Sequence, residues 1–372
     1  MERHVKISRF PRVGSAVMVG ALALSLAACG SDPTTGAETT ETEGGEAITG
    51  DFAGAGASSQ ESAMEAWVAG FQSANPDVTI NYDPAGSGAG REQFLAGGVQ
   101  WAGSDSALDD EELAASAEVC GPDGAIDLPI YVSPIAVAFN LPGIDSLNLS
   151  SEVIANIFNG EIKKWNDDAI AADNPDADLP DTDITPVHRL DDSGTTENFT
   201  EYLSATAPEA WTDEPDGVWP LKGGDSAEGT SGVVGVVTDT EGAVTYADAS
   251  KVGTLGTAAI KVGEEFVEHT PEGAAATVDA SPRVEGRAEH DFAIEVDRTL
   301  TDPTTYPLVL VSYAIACTNY ADEAQGNFVK AFLAYQASEE GQQAAADAAG
   351  NAPISAATAE QVAAAIESIT VG

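Results

Sequence analysis

Strand-like and helix-like apolar runs alternate along this chain, which predicts an α/β fold with sheets covered by helices. Two further observations shape that expectation. From residue 50 onward about 320 residues remain, enough for two lobes of ordinary size. No internal repeat, Rossmann fingerprint or P-loop interrupts the pattern. Strands are predicted at 78–82, 126–140, 184–188, 243–246 and 307–317. Helices are predicted at 59–73, 91–97, 151–156, 197–203 and 322–335; in the first of them Met64, Trp67, Val68 and Phe71 fall on one face.

Ahead of the folded part, a basic segment (Arg3, Lys6, Arg9, Arg12) leads into an uncharged apolar run from Val13 to Leu26. That order is the order of an export signal, and the run is too short to span a bilayer comfortably. It ends in Leu26-Ala27-Ala28-Cys29-Gly30, which resembles the lipobox of bacterial lipoproteins. The resemblance implies a signal peptide over 1–28 and a diacylglycerol on the thiol of Cys29. Residues 29–49 are mostly Gly, Thr, Ser, Pro, Ala and Glu with almost nothing to bury, as expected of a flexible tether. No later stretch approaches membrane-spanning length, so the mature protein is expected to lie on the membrane without crossing it.

Fifteen basic residues against 61 acidic ones give a formal net charge of −46. Such a surface repels nucleic acid and anionic headgroups, and no nucleic-acid partner is expected. Most of these carboxylates read as solubility or salt tolerance. Setting Cys29 aside leaves Cys120 and Cys317, an even pair in an oxidising compartment. A disulfide and two free buried thiols both fit that count. The histidines (His4, His188, His269, His290) are scattered and no CxxC or HExxH occurs, so neither a metal nor a cofactor is expected.

Three segments share one design, a Gly-rich strand exit delivering small hydroxyl residues to the start of a helix. They are Gly54-Ala55-Gly56-Ala57-Ser58-Ser59, Ala85-Gly86-Ser87-Gly88-Ala89-Gly90, and Arg189-Leu190-Asp191-Asp192-Ser193-Gly194-Thr195-Thr196. In the first, Ser58-x-x-Glu61 has capping-box spacing. The first turn of a helix carries unpaired N–H groups and about half a positive charge, so such ends bind anions. Taken singly each segment suits an ordinary cap; together they make three donor nests able to converge on one tetrahedral anion. Arg189 adds a planar fork for bidentate contact with anion oxygens. Asp105, after a short strand-like segment, adds an acceptor. Ionised, it accepts the proton of a hydrogen-bearing oxyanion and is left unpaired by a fully ionised one.

With these residues in view, the chain resembles the phosphate-binding proteins (PstS) of bacterial phosphate-specific ABC transporters. The resemblance rests on Gly54-Ala55-Gly56-Ala57-Ser58, Gly86-Ser87-Gly88, Gly103-Ser104-Asp105, the stretch Asn156-Ile157-Phe158-Asn159-Gly160-Glu161-Ile162-Lys163-Lys164-Trp165-Asn166-Asp167, and Arg189-x-Asp191-x-Ser193-Gly194-Thr195. Gly350-Asn351-Ala352-Pro353-Ile354 is a looser match to a late family segment. What the resemblance implies is a two-lobed fold of the type II periplasmic-binding-protein kind, with a hinge and a ligand cleft. One lobe would comprise 50–128 and 302–372, the other 129–301, and Cys120 and Cys317 would then share the first lobe. Phosphate contacts are implied for Ser58, Ser59, Ser87, Asp105, Arg189, Ser193, Gly194 and Thr195, with Asp191 orienting the arginine. Asp192 stands where the family commonly has glycine and brings an extra carboxylate.

The implied partners are inorganic phosphate and a membrane complex of ABC permease and ATPase. Two competing functions start from the same residues. A serine hydrolase or phosphatase using Ser193 or Ser58 needs a positioned base, and His188 adjoins Arg189 on a strand where neighbouring side chains face opposite ways. A surface lipoprotein keeping the fold for sensing or adhesion is the other.

Overall fold

A computed structural model describes residues 48–372. The signal segment 1–28, the lipidation residue Cys29 and all of the tether except residues 48 and 49 lie outside the described residues. In chain order the first elements are β1 (Gly50–Gly56), α1 (Glu61–Ala74), β2 (Val78–Asp83), α2 (Ser87–Leu95), β3 (Trp101–Ser104), α3 (Asp110–Cys120) and β4 (Ala125–Phe139). There follow β5 (Ser146–Leu149), α4 (Ser151–Phe158), α5 (Asp168–Asp173), β6 (Thr185–Arg189), α6 (Gly194–Thr206), β7 (Asp225–Ala227), α7 (Gly229–Asp239), β8 (Ala243–Asp248), β9 (Gly256–Val262), β10 (Glu265–Val267) and α8 (Pro271–Ala280). The chain closes with β11 (Val309–Cys317), β12 (Asn319–Tyr320), α9 (Glu323–Ala337), α10 (Glu339–Ala349), α11 (Ala356–Ser368) and β13 (Thr370–Val371).

Every strand and helix predicted from the apolar pattern is present, with two local corrections. Helix α2 starts at Ser87 rather than Arg91, because its glycines serve close packing and not a loop: a Cβ at Gly90 would come 2.4 Å from the Cα of Gly56 in β1. The capping box expected at Ser58 is absent. Helix α1 starts one residue after Gln60, which makes no side-chain cap, and Ser58 is drawn away by a partner described below. A true capping box opens α3, where Asp109 Oδ1 accepts from the N–H of Glu112 and Glu112 Oε2 accepts from that of Asp109.

The long strand β4 organises the sheet. Its first residues pair antiparallel with β11, from Ala125↔Cys317 to Pro134↔Val309, and its last five pair with β8. The main path runs β2-β1-β3-β11-β4-β8-β6-β7, with β9 also on β4 and β5 and β10 on β9. All fifteen residues of β4 are buried, as are all nine of β11, which explains their near-continuous apolar sequence.

Aromatic residues fill the space beneath the helices. Phe52 of β1 stacks on Phe328 of α9 with ring centroids 3.8 Å apart, and Trp101 and Phe71 close on Phe332 at 5.4 and 5.3 Å. Trp67 of α1 donates through Nε1 to the Gly341 carbonyl (2.8 Å), fixing the late helix α10 on the first helix of the chain. A disulfide joins Cys120, at the end of α3, to Cys317, at the end of β11, with Cα atoms 4.9 Å apart. Free thiols at these two positions are thereby excluded. A second aromatic group, Phe158, Phe199, Trp219 and Tyr246, underlies α6, where Phe199 and Tyr246 stack at 4.2 Å.

Candidate functional site

The site is built where β1, β3 and β6 end. Strands β1 and β3 run parallel with Gly56 opposite Gly103, and the approach is so close that a Cβ on Gly56 (φ +142°) would lie 1.8 Å from the Gly103 carbonyl oxygen. Only glycine fits there. The two strand exits therefore lie side by side and bring Ser58 and Ser59 beside Asp105. From the other side, Gly194 opens α6 against the same residues: a Cβ on it would stand 2.8 Å from both Asp105 Cβ and Ser87 Oγ. Gly86, at φ +104°, turns the chain into α2 and places Ser87 at its first position.

Asp105 is the meeting point. Its carboxylate accepts from Ser59 Oγ at 2.7 Å and from Thr195 Oγ1 at 2.9 Å, and its backbone N–H donates to Ser87 Oγ at 3.1 Å. The three helix starts read in the sequence thus converge on one residue. Ser58, Ser59, Ser87, Asp105, Arg189, Ser193 and Thr195 are each 5% exposed or less, so charge here acts in a poorly screened medium. Burial pushes the Asp105 carboxyl above its usual range, and the hydroxyls of Ser59 and Thr195 and the charge of Arg189 pull it back.

Arg189 ends β6, and its fork is held from behind. Nε donates to Asp191 Oδ1 at 2.8 Å and Nη2 to Asp191 Oδ2, while the N–H of Gly229 also donates to Oδ1 at 3.0 Å. Burial works to raise the Asp191 carboxyl, but the hydrogen bonds and charge of Arg189 win and hold it below the ordinary value. Of the five N–H donors of a guanidinium, Asp191 takes two and the rest remain for a ligand. Ser193 caps α6 by accepting from the N–H of Thr196 (3.3 Å).

Ser58 is bound differently from its neighbours. Its Oγ lies 3.0 Å from Thr230 Oγ1 and accepts from the Thr230 N–H at 3.0 Å, which is why it caps nothing in α1. Thr230 opens α7 next to Gly229 at φ +69°. That fourth start was not singled out, although Glu228-Gly229-Thr230-Ser231-Gly232 carries the same glycine and hydroxyl signal. Tyr246 was missed as well. Its hydroxyl lies 2.8 Å from Thr196 Oγ1 and accepts from the Arg189 N–H at 3.3 Å, bracing both ends of the loop between β6 and α6.

Residues 36–340 match the model of a PBP superfamily domain. Phosphate-binding protein PstS 3 of Mycobacterium tuberculosis is 35% identical over 343 residues, 88% of this chain and 90% of its own length. PstS 2 of the same organism is 33% identical over 374 residues, covering 97% of this chain and all of that one. The chain belongs to the PstS family. Solved structures share the fold: a high-affinity periplasmic phosphate-binding protein with phosphate bound superposes with a TM-score of 0.70 at 24% identity, over 85% of this chain and 93% of that one. A phosphate ABC transporter substrate-binding protein from Clostridium perfringens gives 0.57 at 22% identity, over 81% and 98%. The α/β, periplasmic-binding-protein fold expected from the sequence is the one observed.

Two neighbours of the site have their own partners. The carboxylate of Asp192 lies over Gly88 and Gly217, close enough that a Cβ on either would collide with it at 2.2 to 2.3 Å. It fills the seam between α2 and the turn at 215–218, and its main-chain oxygen accepts from the Gly88 N–H at 3.3 Å. Burial raises its carboxyl, with Arg91 opposing and Asp216, Glu112 and Glu92 adding to the rise. His188 is engaged away from the serines: its ring stacks on Trp219 at 5.0 Å and Nδ1 sits 2.9 Å from the Arg189 carbonyl.

Proposed function

We propose that this protein is an extracytoplasmic solute-binding protein that captures inorganic phosphate and hands it to an ABC importer. The observation that carries this reading is the convergence on Asp105 of hydroxyls from three helix starts, beside an arginine whose fork Asp191 holds in place. The named function of relatives a third identical over nearly the whole chain supports it.

In this reading phosphate lies among the first turns of α1, α2 and α6. Free backbone N–H groups, those of Ser59, Gly194 and Thr195 among them, the hydroxyls of Ser58, Ser87 and Ser193, and the remaining donors of Arg189 donate to its oxygens. Each Asp105 oxygen already accepts one hydroxyl proton and has a lone pair left to take a proton from monohydrogen or dihydrogen phosphate. Sulfate offers no such proton, and its oxygens would face an anion in a buried site. Selectivity then comes from an acceptor and affinity from the donors around it.

Residues 50–128 with 302–372 act as one lobe and 129–301 as the other. Hydrogen bonds cross that division at Ser58–Thr230, Asp105–Thr195, Ser106–Glu197 and Glu61–Lys251, as expected of a closed cleft. Lipidation at Cys29 and the tether would hold the protein at the outer face of the membrane, where the permease and ATPase complex receives the ligand.

Isothermal titration of the protein lacking residues 1–29 is expected to show tight phosphate binding and negligible sulfate binding. Equal affinity for the two anions refutes the role of Asp105, and no phosphate binding refutes the function. For the anchor, Cys29→Ala protein is expected in the soluble fraction; continued partition with membranes contradicts lipidation.

A further inference from the structure

We propose that Asn198, clamped by Arg298, is a positioning residue that fixes Asp105 for phosphate recognition; the inference rests on the function proposed above. Asp105 lies one residue beyond the end of β3, where no ladder bond fixes its main chain. Its N–H is held by Ser87 Oγ and its C=O accepts from Asn198 Nδ2 at 2.8 Å. Both main-chain groups of the selectivity residue therefore depend on side chains, and these two bonds set the backbone from which the carboxylate reaches Ser59 and Thr195. The same Asn198 nitrogen donates to the Gly194 carbonyl at 2.8 Å, so one amide joins Asp105 to the first turn of α6.

The orientation of that amide is determined by its partners. Two carbonyl oxygens require the NH2 end, and the other end, Oδ1, accepts from Arg298 Nη2. Arg298 is 5% exposed and anchored independently of Asn198. Nη1 donates to the carbonyls of Pro307 (3.0 Å) and Val309 (2.5 Å), at the entry to β11, and Nη2 to Glu201 Oε2 (2.8 Å). Strand β11 in turn pairs with β3, Tyr313 opposite Ser104. The bonds close a ring from β3 through Asp105, Asn198 and Arg298 to β11 and back to β3, which ties the position of Asp105 to the sheet.

On one side of this ring packing is open. Asp105, Asn198, Glu201 and Arg298 line a cleft of about 590 Å³ whose wall also includes Arg287, Leu108 and Val296, so the space on that side of Asn198 is open. Loss of the amide donors frees the Asp105 main chain on that side. Asn198 lies near no anion oxygen in the proposed binding mode; it acts through Asp105 and Gly194.

Asn198→Asp separates this role from packing. The substitution keeps shape and the acceptor for Arg298 but turns a doubly donating group toward two carbonyl oxygens. If Asn198 only fills space, the variant binds as the parent does and gains an ion pair with Arg298. If it positions Asp105, calorimetric titration shows phosphate affinity reduced by about tenfold or more and the phosphate-to-sulfate ratio narrowed. Asn198→Ala is read by the same ratio, which general loosening of the fold does not selectively move. Arg298→Lys, which cannot span Asn198, Glu201 and the two carbonyls at once, is expected to give a smaller loss in the same direction. Unchanged phosphate affinity and ratio in Asn198→Asp and Asn198→Ala overturn the proposal, and a parental Arg298→Lys overturns the clamp. Absence of phosphate binding by the parent protein strikes the function itself and not this inference.

Discussion

Asp105 and Asp248 are both buried aspartates, and the difference between them shows what a binding carboxylate requires. Asp248 ends β8 beside the middle of β4, where its Oδ2 accepts from the Tyr131 hydroxyl (3.0 Å) and its Oδ1 from the Ser250 N–H (2.8 Å). Burial pushes its carboxyl up to about 6 despite those bonds. Asp105 is buried as deeply and also hydrogen-bonded, but the Arg189 guanidinium acts on it as well. Burial raises both carboxyls, but at Asp105 a neighbouring cation opposes the rise beside the hydroxyl donors, whereas Asp248 has hydroxyl and amide donors alone.

The sharpest way to break this comparison is to remove the cation. Arg189→Ala is expected to lower phosphate affinity on the order of 100-fold or more, since charge-assisted hydrogen bonds in a dry site are lost. Circular dichroism should report an intact fold, and an affinity close to the parent's would place the anion elsewhere. Next in size, Asp105→Asn should bring the phosphate-to-sulfate ratio down by about tenfold to 100-fold, because an amide no longer opposes a fully ionised ligand. Its melting temperature should not fall, as a desolvated charge has been removed; a parental ratio would relocate the selectivity.

The smallest expected effect belongs to Asp248 and concerns stability. Because its folded-state value is raised, its contribution is fully present below the ordinary carboxylate range, near pH 4, and is lost as pH rises through about 6. Asp248→Asn should therefore flatten the stability profile between roughly pH 4 and 6, by on the order of 3 kcal/mol at most, with phosphate affinity unchanged. Denaturant midpoints across that window measure it. Parallel profiles for parent and variant would mean that the folded state does not raise the Asp248 carboxyl.

What the sequence revealed and concealed follows from distance along the chain. The helix starts at Ser59, Ser87 and Ser193 were legible because glycine, hydroxyl and helix onset are neighbours in sequence. Asn198 and Thr230 were not, because their partners lie 93 and 172 residues away. Ser58 shows the hazard of local reading: Ser58-x-x-Glu61 has the right spacing for a cap, but its hydroxyl finds two partners on Thr230 and the helix starts without it. The Ala-rich helices α10 and α11 escaped notice because alanine gives little contrast between a buried and an exposed face. Nor could apolar pattern reveal that β11, near the end of the chain, lies between β3 and β4.

The carboxylates around Arg91 bear on how fast a ligand arrives. Arg91 pairs with Glu112 and feels the charges of Glu197 and Asp192, so this cation near the anion site is surrounded by acids, on a chain of net charge −46. An approaching phosphate ion is slowed by this field until it reaches the donors within. Added salt shortens the range of the repulsion and leaves the buried hydrogen bonds nearly untouched. Association should thus quicken with ionic strength while dissociation stays constant, the opposite of a receptor that steers its ligand electrostatically.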